Sequence, residues 1–527
     1  MNTPLEFAES RLRSLATRRP RVELVVRLLM LSISLIVACV LLSCGRREAS
    51  LISADSSYSL AVSDTPSADT HLVEFLQAHR HAWSAPGLSV AVARGDQIMF
   101  SAGVGFSDVL GARPATAHTT YRIASTSKAI TAVTVLSLVD QGLVRLDDDI
   151  RHYVPSFPPK KWPITVGHVL SHTSGIRHYA EGETSRKQTH YETVAEAISE
   201  FKDDTLLFQP GTQYGYSTFG FTLLQGVVES ASGMSFRQYL RERVFDVAGM
   251  IGSDLEVKGE SYPLRAIGYR MDGDMIGPVG FDDVSFKYAG GGMLASAEDL
   301  VKFCMALGHG DLLSDSLTRR MFEELPIEPG SGLAWGSRID SLSGTRRVWH
   351  PGRSNGFESY LLYYPGEELA VAVLTNQHYT DPWADVGGVA QVMADVYWPG
   401  HDSLRTHFPI TPVPSALRLA FDSGGAESVR ATCQEYRASA AWRHWDFESS
   451  INRLGYQLLA EERTQEAIEV FLVNVELFPE SWNSYDSLAD AYAQEGDVEA
   501  AVRYYQESLR LNPDNEQGAR KLHELKR

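Results

Sequence analysis

A repeat of 34 residues near the C-terminus constrains the fold of this chain more than any other feature. Five positions recur at this spacing, and the matched pairs are Leu454 and Leu488, Leu458 and Tyr492, Ala467 and Ala501, Phe471 and Tyr505, and Pro479 and Pro513. Apolar side chains at helical spacing, with a small residue where helices cross and a proline at the end, predict stacked helices. Because such repeats depend on their neighbours to bury a core, helices predicted at 427–443 and 515–526 are expected to complete the stack.

This pattern over residues 447–514 resembles the tetratricopeptide repeat. The resemblance implies an all-α domain at 427–527, which follows a linker of looser composition at 401–426. Such a domain serves either as a contact surface for a protein partner or as a structural extension. The sequence leaves both roles open.

The first 44 residues have the composition of an export signal. Six arginines precede an apolar run from Leu28 to Leu42, which is followed by Ser43-Cys44. This order is typical of such signals, and the ending resembles the lipobox of bacterial lipoproteins, which implies lipidation of Cys44. Because Leu42 is unusual at its position, an uncleaved membrane anchor is the alternative. Either outcome predicts a protein of the bacterial cell envelope, exported and tethered to the membrane through the Ser- and Asp-rich linker 45–70.

The formal charge of −18 belongs to the rest of the chain, since residues 1–47 hold eight Arg and three Glu and are net positive. A strongly acidic body argues against nucleic acid as a partner. Beyond the signal, Cys304 and Cys433 are widely separated and no C-x-x-C occurs, so both are interpreted as buried thiols.

Two histidines, His168 and His172, stand at the i, i+4 spacing of a metal pair. A metalloprotease helix has Glu after the first His, whereas this chain has Val169. We therefore predict no metal and no cofactor, and interpret both histidines as structural or surface residues.

Residues 71–400 have strand patterns at both ends and helical patterns between them. Gly87–Ala93 and Gln97–Gly103 are predicted to form a hairpin around Gly95-Asp96, and two late strands are joined by Pro365-Gly366. This order predicts an α+β domain in which an antiparallel sheet carries an inserted all-helical region.

Within this domain, Ser125 and Lys128 stand three residues apart at the start of an apolar helix. Residues at i and i+3 share a helical face, so the amine can take the proton of the hydroxyl and activate it as a nucleophile. The alternative is a helix cap beside a solvated lysine. The same spacing occurs at Ser199 and Lys202, but in a polar stretch without further partners.

Two later motifs complete a constellation with Ser125 and Lys128. Tyr216-Ser217-Thr218 supplies a phenol, and His350-Pro-Gly352 precedes a predicted strand. Together with Val169-Leu-Ser-His-Thr-Ser-Gly175 and Gly290-Gly-Gly-Met-Leu-Ala-Ser296, these motifs resemble the family of penicillin-binding proteins and class C-type β-lactamases. Within that family, the β-lactamase-like proteins related to the mitochondrial form are the most similar.

The resemblance implies roles for several residues. Ser125 would be the acylated nucleophile, and either Lys128 or Tyr216 would be the general base, with the pKa of Tyr216 lowered by Lys128. The backbone N–H groups of Ser125 and Arg353 would form the oxyanion hole. Substrate contacts would come from four residues of the later motifs: Thr218, His350, Gly352 and Arg353.

Two departures from the family pattern bear on the substrate. The second motif usually ends in Asn but has Thr218 here, and the third usually begins with Lys but has His350. The fixed cation for a β-lactam carboxylate is thus missing, unless Arg353 or a protonated His350 replaces it. If protonated His350 holds the substrate, KM should rise from pH 6 to 8, as the ring loses its charge. We expect peptidase, amidase or esterase action on a small-molecule or peptide acyl substrate. The alternative is a catalytically weak scaffold whose repeats bind a partner.

Overall fold

The structure is a computed structural model that describes residues 52–53, 70–180, 183, 188–272, 275–377, 386–401, 404 and 408–526. The predicted export signal, Cys44 and most of the predicted linker 45–70 lie outside the described residues. Within the described part of the chain, no helix is both long enough and apolar enough to cross a membrane.

A seven-stranded antiparallel sheet lies at the centre of the fold. The strands in chain order are β1 (Gly87–Arg94), β2 (Gln97–Asp108), β3 (Arg113–Pro114), β4 (Tyr121–Arg122), β5 (Asp254–Leu255), β6 (Tyr269–Asp272), β7 (Met275–Pro278), β8 (Met293–Ala295), β9 (Gly336–Ile339), β10 (Arg346–Ser354), β11 (Phe357–Tyr364) and β12 (Leu369–Thr375). The central sheet has the order β9-β10-β11-β12-β1-β2-β3. The short strands β4, β8 and β5 form a second sheet, and β6 pairs with β7. The predicted hairpins are confirmed, because β1 pairs with β2 and β11 with β12.

Both faces of the central sheet are covered, which explains why its middle strands are largely apolar. In β1, Ala91 and Ala93 belong to one hydrophobic core, while Leu88, Val90 and Val92 belong to the other. Alternate residues of a strand point to opposite faces. A sheet buried on both sides therefore favours apolar residues at successive positions of a strand rather than an alternating pattern.

Helices inserted between the strands cover the face on which Ser125 lies. The helices up to the last strand are α1 (Thr70–Ala82), α2 (Ser127–Asp140), α3 (Val166–Leu170), α4 (Val194–Ala197), α5 (Thr218–Ser232), α6 (Phe236–Leu240), α7 (Asp246–Ala248), α8 (Tyr288–Gly291), α9 (Ala297–Gly308) and α10 (Asp315–Phe322). Helices α2, α5 and α9 contribute large parts of this core. The predicted α+β class, with helices inserted into an antiparallel sheet, is confirmed.

The described residues from Val386 onward contain helices and no strands, and the helical region predicted at 427–527 is confirmed. Its helices are α11 (Val386–Val396), α12 (Val413–Ala438), α13 (Phe447–Ala460), α14 (Thr464–Leu477), α15 (Trp482–Glu495), α16 (Val498–Leu511) and α17 (Glu516–Leu525). Helix α12 begins inside the predicted linker 401–426 and bends at Gly424 and Gly425. Leu417 and Phe421 are buried there because, at i and i+4, they present one apolar face to the core.

These helices share a hydrophobic core with the second face of the sheet. Val90 of β1, Phe75 of α1, Cys433 of α12 and Trp442 belong to the same buried cluster. The indole of Trp442 stacks on His79 with 6.1 Å between ring centroids. Residues from Ser53 onward accordingly form one compact unit.

A buried polar cluster also joins the two parts. The ring of His444 lies between the carboxylates of Asp340 and Asp395, with nitrogen–oxygen distances of 2.8 Å to each. Arg443 contacts Asp395 as well, at 3.0 Å. Since Asp340 follows β9 and Asp395 lies on α11, this cluster ties the segment before α13 to the sheet.

Candidate active site

Ser125 lies in a tight turn at the start of α2. Residues Ala124–Thr126 form one turn of 3-10 helix, and α2 continues from Ser127. The backbone of Ala124 has φ +47°, in the left-handed region that non-glycine residues rarely occupy. Such a conformation costs about 1–3 kcal/mol and persists where the surrounding structure enforces it. The turn leaves the Ser125 side chain partly exposed in a cleft.

Lys128 is fully buried beneath Ser125. Its Nζ lies 3.2 Å from Ser125 Oγ and 2.5 Å from the carbonyl oxygen of Gly290, to which it donates. Burial, together with the positive charge of Lys287, lowers the pKa of Lys128 well below its ordinary value. An uncharged amine in this position can donate to Gly290 and accept the proton of Ser125. The predicted juxtaposition of Ser125 and Lys128 is therefore present.

Tyr216 completes the group around the nucleophile. Its ring centroid lies 4.9 Å from Lys128 Nζ. Burial raises the pKa of Tyr216, an effect that hydrogen bonding with Ser125 only partly offsets. The prediction that Lys128 lowers the pKa of Tyr216 is wrong. Burial disfavours the charged phenolate, and a buried lysine with a lowered pKa carries too little positive charge to offset that effect. Tyr216 is thus a protonated phenol near neutral pH.

Two histidines for which the sequence predicts no catalytic role hold the second motif, Tyr216–Thr218, in place. His172 Nδ1 accepts a hydrogen bond from the N–H of Ser217 at 3.1 Å, and His178 Nδ1 accepts one from Thr218 at 3.3 Å. Helix α3 ends at Leu170, so His172 has left the helical face it was expected to share with His168. For His172, the sequence signal for this role is its place in the motif Val169–Gly175, one of the motifs that carry the family resemblance.

His350 lies on β10 and is almost completely buried. Its Nδ1 donates to the carbonyl oxygen of Pro351 at 2.6 Å. Burial, and secondly the nearby Lys128, lower the pKa of His350 to about 3. The ring is neutral at pH 6–8, so the expectation that its protonation holds an anionic substrate is wrong.

Arg353 follows on the same strand and is already paired. Its Nε lies 3.0 Å from Glu358 Oε1, whose side chain is only 2% exposed. This ion pair neutralises the charge that was expected to replace the missing lysine of the third motif. The arginine remains at the mouth of the cleft, since its side chain is 59% exposed.

Gly352 allows β10 to approach the turn of Ser125. A Cβ on this residue would lie 2.2 Å from the carbonyl oxygen of Ile123 and 2.3 Å from Ser359 Oγ, so no side chain fits. Ser359 Oγ also donates to Ile123 at 2.7 Å, and Thr126 Oγ1 donates to the carbonyl oxygen of His350 at 3.2 Å. These contacts fix the strand against the nucleophile.

The edge of β10 beside Ser125 is open. The ladder between β9 and β10 ends with the pair of Gly336 and Trp349, so β9 does not cover residues 350–354. Backbone N–H groups along this edge can face a carbonyl group held over Ser125, as an oxyanion hole requires.

The cleft has two lobes, which meet at Ser125 and Arg353, since both residues line each lobe. The first lobe, of about 630 Å³, is called the aromatic lobe because its lining includes Tyr214, Tyr216, Trp335, Trp349 and Tyr360. The second lobe, of about 460 Å³, is charged; its lining includes Thr218, Arg270, Asp282 and Lys287. A nucleophile between two lobes suits a substrate that extends on both sides of a carbonyl group.

The second pair with this spacing, Ser199 and Lys202, lacks these surroundings. Ser199 is exposed, and its hydroxyl donates to the carbonyl oxygen of Glu196 at 2.6 Å. It lines neither lobe.

Comparison with known proteins agrees with this geometry. Residues 72–391 match the Beta-lactamase family, and residues 482–515 match the Tetratricopeptide repeat. The first match covers more than half of the chain. The protein therefore belongs to the Beta-lactamase family and carries a C-terminal tetratricopeptide repeat.

Individual relatives are similar over part of the chain. The human serine beta-lactamase-like protein LACTB, mitochondrial, is 29% identical over 43% of this chain and 54% of its own length. The chain thus spans about half the length of this curated relative. The octameric penicillin-binding protein homologue from Pyrococcus abyssi has a TM-score of 0.54 and 25% identity, covering 62% of this chain and 76% of its own. A D-stereospecific amidohydrolase from Streptomyces sp. shares the fold, with a TM-score of 0.53, 22% identity, and 62% and 98% coverage.

Proposed function

We propose that this protein is a serine hydrolase that cleaves esters or amides through an acyl-enzyme at Ser125. One observation carries the proposal. The amine of Lys128 lies 3.2 Å from the Ser125 hydroxyl in a fully buried position, where its pKa is lowered well below the ordinary value. A helix cap beside a solvated lysine, the alternative considered from the sequence, would leave the lysine exposed and fully charged.

The opposite pKa shifts of the two candidate bases support a division of roles. Lys128, whose pKa is lowered, accepts the Ser125 proton as Oγ attacks the substrate carbonyl carbon. The oxyanion of the tetrahedral intermediate accepts hydrogen bonds from the N–H groups of Ser125 and Arg353. Tyr216, whose pKa is raised, keeps its proton and donates it to the leaving group, while the proton on Lys128 returns to the phenolate.

Deacylation repeats these steps with water. A water molecule gives its proton to Lys128 and attacks the acyl carbon, and the resulting intermediate collapses by breaking the bond to Ser125 Oγ. The departing serine oxygen receives the proton from Lys128, and the acid product leaves. The enzyme returns to its starting state without a cofactor.

The residues around the nucleophile favour peptidase, amidase or esterase action over efficient β-lactam hydrolysis. Thr218 stands where the family pattern has Asn, and a hydroxyl cannot reproduce the reach and paired groups of an amide. His350 is neutral, and Arg353 is paired with Glu358. The third motif thus offers no unpaired cation to a β-lactam carboxylate.

Labelling with a fluorophosphonate tests this proposal. We expect the wild-type protein to gain one covalent adduct on Ser125, located by mass spectrometry, and Ser125→Ala to gain none. Ser199→Ala is the matched control and should label like the wild type. If Ser125→Ala labels normally, or the wild type labels with neither a fluorophosphonate nor a fluorescent penicillin, the hydrolase is excluded in favour of a catalytically weak scaffold.

Export and tethering to the bacterial cell envelope remain proposals that rest on residues 1–44. The basic segment, the apolar run and Cys44 support them. Metabolic labelling with a palmitate analogue should mark the wild type and not Cys44→Ser. A membrane-bound but unlabelled wild type would instead indicate the uncleaved anchor.

Contact with a protein partner is proposed for the helical repeats. The match to the Tetratricopeptide repeat supports it, as do the partly exposed apolar side chains of Leu472, Trp482 and Val498. The core that the helices share with the sheet gives them a structural role as well.

A further inference from the structure

The second lobe of the cleft carries more positive than negative side chains. Four cationic residues line it, Arg122, Arg270, Lys287 and Arg353, together with two carboxylates, Asp282 and Asp283. The whole chain carries a formal charge of −18. Two of these cations, Arg122 and Arg353, are paired with Glu256 and Glu358, carboxylates outside the lining of this lobe. Arg270 and Lys287 are its other two cations, and cationic side chains at the wall of a cleft attract anions.

Both carboxylates of the lobe have partners of their own. Asp282 accepts a hydrogen bond from Asn355 at 2.9 Å and lies 4.0 Å from Arg122. Asp283 lies 2.9 Å from His190 and 3.8 Å from Lys258. Their negative charge is accordingly directed at these groups rather than at the space inside the lobe.

Lys287 lies near the turn that carries Ser125, since a Cβ on Gly291 would lie 3.6 Å from the carbonyl carbon of Ala124 and 3.7 Å from Lys287 Cδ. It lies in the turn directly before α8, and its ammonium lies 5.3 Å from the ring centroid of Phe286 and 5.7 Å from that of Tyr179. Its positive charge lowers the pKa of Lys128, an effect second to burial. A lysine held over aromatic rings at the wall of a cleft can meet a substrate anion near the scissile bond.

The position of Tyr216 indicates which part of a substrate occupies each lobe. The leaving group must lie beside the phenol that returns its proton, and Tyr216 lines the aromatic lobe but not the charged one. Ser125 lines both. The acyl part of the substrate, on the other side of the carbonyl carbon, therefore extends into the lobe of Lys287.

We propose that this lobe binds a negatively charged group, such as a carboxylate, on the acyl part of the substrate, with Lys287 as its main contact and Arg270 as a second. The substrate class is an ester or amide of a dicarboxylic or otherwise anionic acyl group with a neutral, apolar leaving group. This inference rests on the proposed hydrolase function.

A pair of matched esters tests the proposal. Mono-p-nitrophenyl adipate and p-nitrophenyl hexanoate have the same leaving group and acyl length, and differ by a carboxylate in place of a terminal methyl group. We expect the wild type to have the higher kcat/KM for the adipate, after subtraction of the Ser125→Ala rate. The ratio of the two kcat/KM values should fall about tenfold in Lys287→Met, and should fall with added salt. Using a ratio cancels the effect of Lys287 on Lys128, which both esters share.

Three further variants complete the test. Lys287→Arg should keep most of the preference, and Arg270→Gln should lose part of it. Lys161→Met removes an exposed lysine that also lies over an aromatic ring, that of Trp162 at 4.3 Å, and should leave the ratio unchanged. Continued turnover of the hexanoate shows that a variant is folded.

Each remaining outcome decides the question. A wild-type ratio at or below one, or the same ratio in Lys287→Met, overturns the anion subsite while leaving the hydrolase intact. Absence of Ser125-dependent turnover of both esters overturns the proposed function, and the subsite with it.

Discussion

His172 Nδ1 accepts a hydrogen bond from the backbone N–H of Ser217 at 3.1 Å. The same ring packs against Tyr216, with 4.4 Å between centroids. His172 therefore fixes the main chain of the second motif and the side chain of its phenol together. Burial lowers the pKa of His172 well below its ordinary value, so the ring stays neutral and Nδ1 stays available as an acceptor.

Replacing His172 should misplace Tyr216 without touching the nucleophile. His172→Leu leaves the Ser217 N–H buried without an acceptor, at a cost of about 1–3 kcal/mol. We expect kcat for a p-nitrophenyl ester to fall about tenfold or more, while KM changes little. His172→Asn, whose Oδ1 can accept the same hydrogen bond, should restore part of kcat. Equal losses in the two variants would mean that the hydrogen bond has no positioning role.

The pH dependence of kcat/KM should report the titration of Lys128. A general base acts when unprotonated, so activity is present above its pKa and is lost as pH falls through it. Since the pKa of Lys128 is well below its ordinary value, the acid limb should have its midpoint far below pH 10.5. In Lys287→Met this midpoint should move to higher pH, because a nearby positive charge is removed. An unmoved limb would contradict Lys128 as the base.

Lys128→Arg offers a direct check of the same role. A guanidinium remains protonated in proteins and cannot accept the Ser125 proton. We expect kcat to fall about 100-fold or more, the usual range for loss of a general base. The control Lys161→Arg should leave kcat unchanged. A Lys128→Arg enzyme with near wild-type kcat would show that the lysine supplies only a local charge.

Gly352→Ala should disrupt the site by steric overlap. The added Cβ would lie 2.2 Å from the carbonyl oxygen of Ile123, so the strand must move away from the turn of Ser125. Overpacking of this kind costs about 1–3 kcal/mol, and the displaced edge should abolish most activity. Gly366→Ala is a matched control, since a Cβ there has no neighbour within 4 Å among the described residues. Tm and kcat, measured for both variants, check the difference.

Trp442→Ala should destabilise the Beta-lactamase family domain, although Trp442 lies beyond the end of that domain in the chain. Trp442 is fully buried, and its Nε1 donates to the carbonyl oxygen of Pro409 at 3.0 Å. Loss of a buried tryptophan costs about 3–5 kcal/mol. We expect one unfolding transition, in which activity and helical signal disappear together at a lower temperature. Trp482→Ala, at a side chain that is 37% exposed, should change Tm little. Two separate transitions would contradict a shared core.

The fold class and the pairing of Ser125 with Lys128 could be predicted because both depend on spacing along the chain. The pKa directions could not, since they depend on burial by distant segments. Lys128, for example, donates to Gly290, which follows it by 162 residues. The neutral state of His350 has the same origin, because desolvation outweighs the charge that its motif position suggested.

The start of α12 inside the expected linker has a different explanation. The composition of 401–426 is loose, but Leu417 and Phe421 are buried in a core to which the later helices α13 and α14 also contribute. The role of His172 was missed for a similar reason, since its partner Ser217 lies 45 residues away.

The shared core has a consequence for synthesis on the ribosome. A chain emerges from its N-terminus, so β1 and β12 are made before α12 to α14 exist. Until the segment that carries Trp442 appears, the rings of Phe75 and His79 on α1 lack one of their covers. A message that ends before Trp442 would therefore encode a chain with every residue of the candidate catalytic group and an uncovered, aggregation-prone apolar patch on α1.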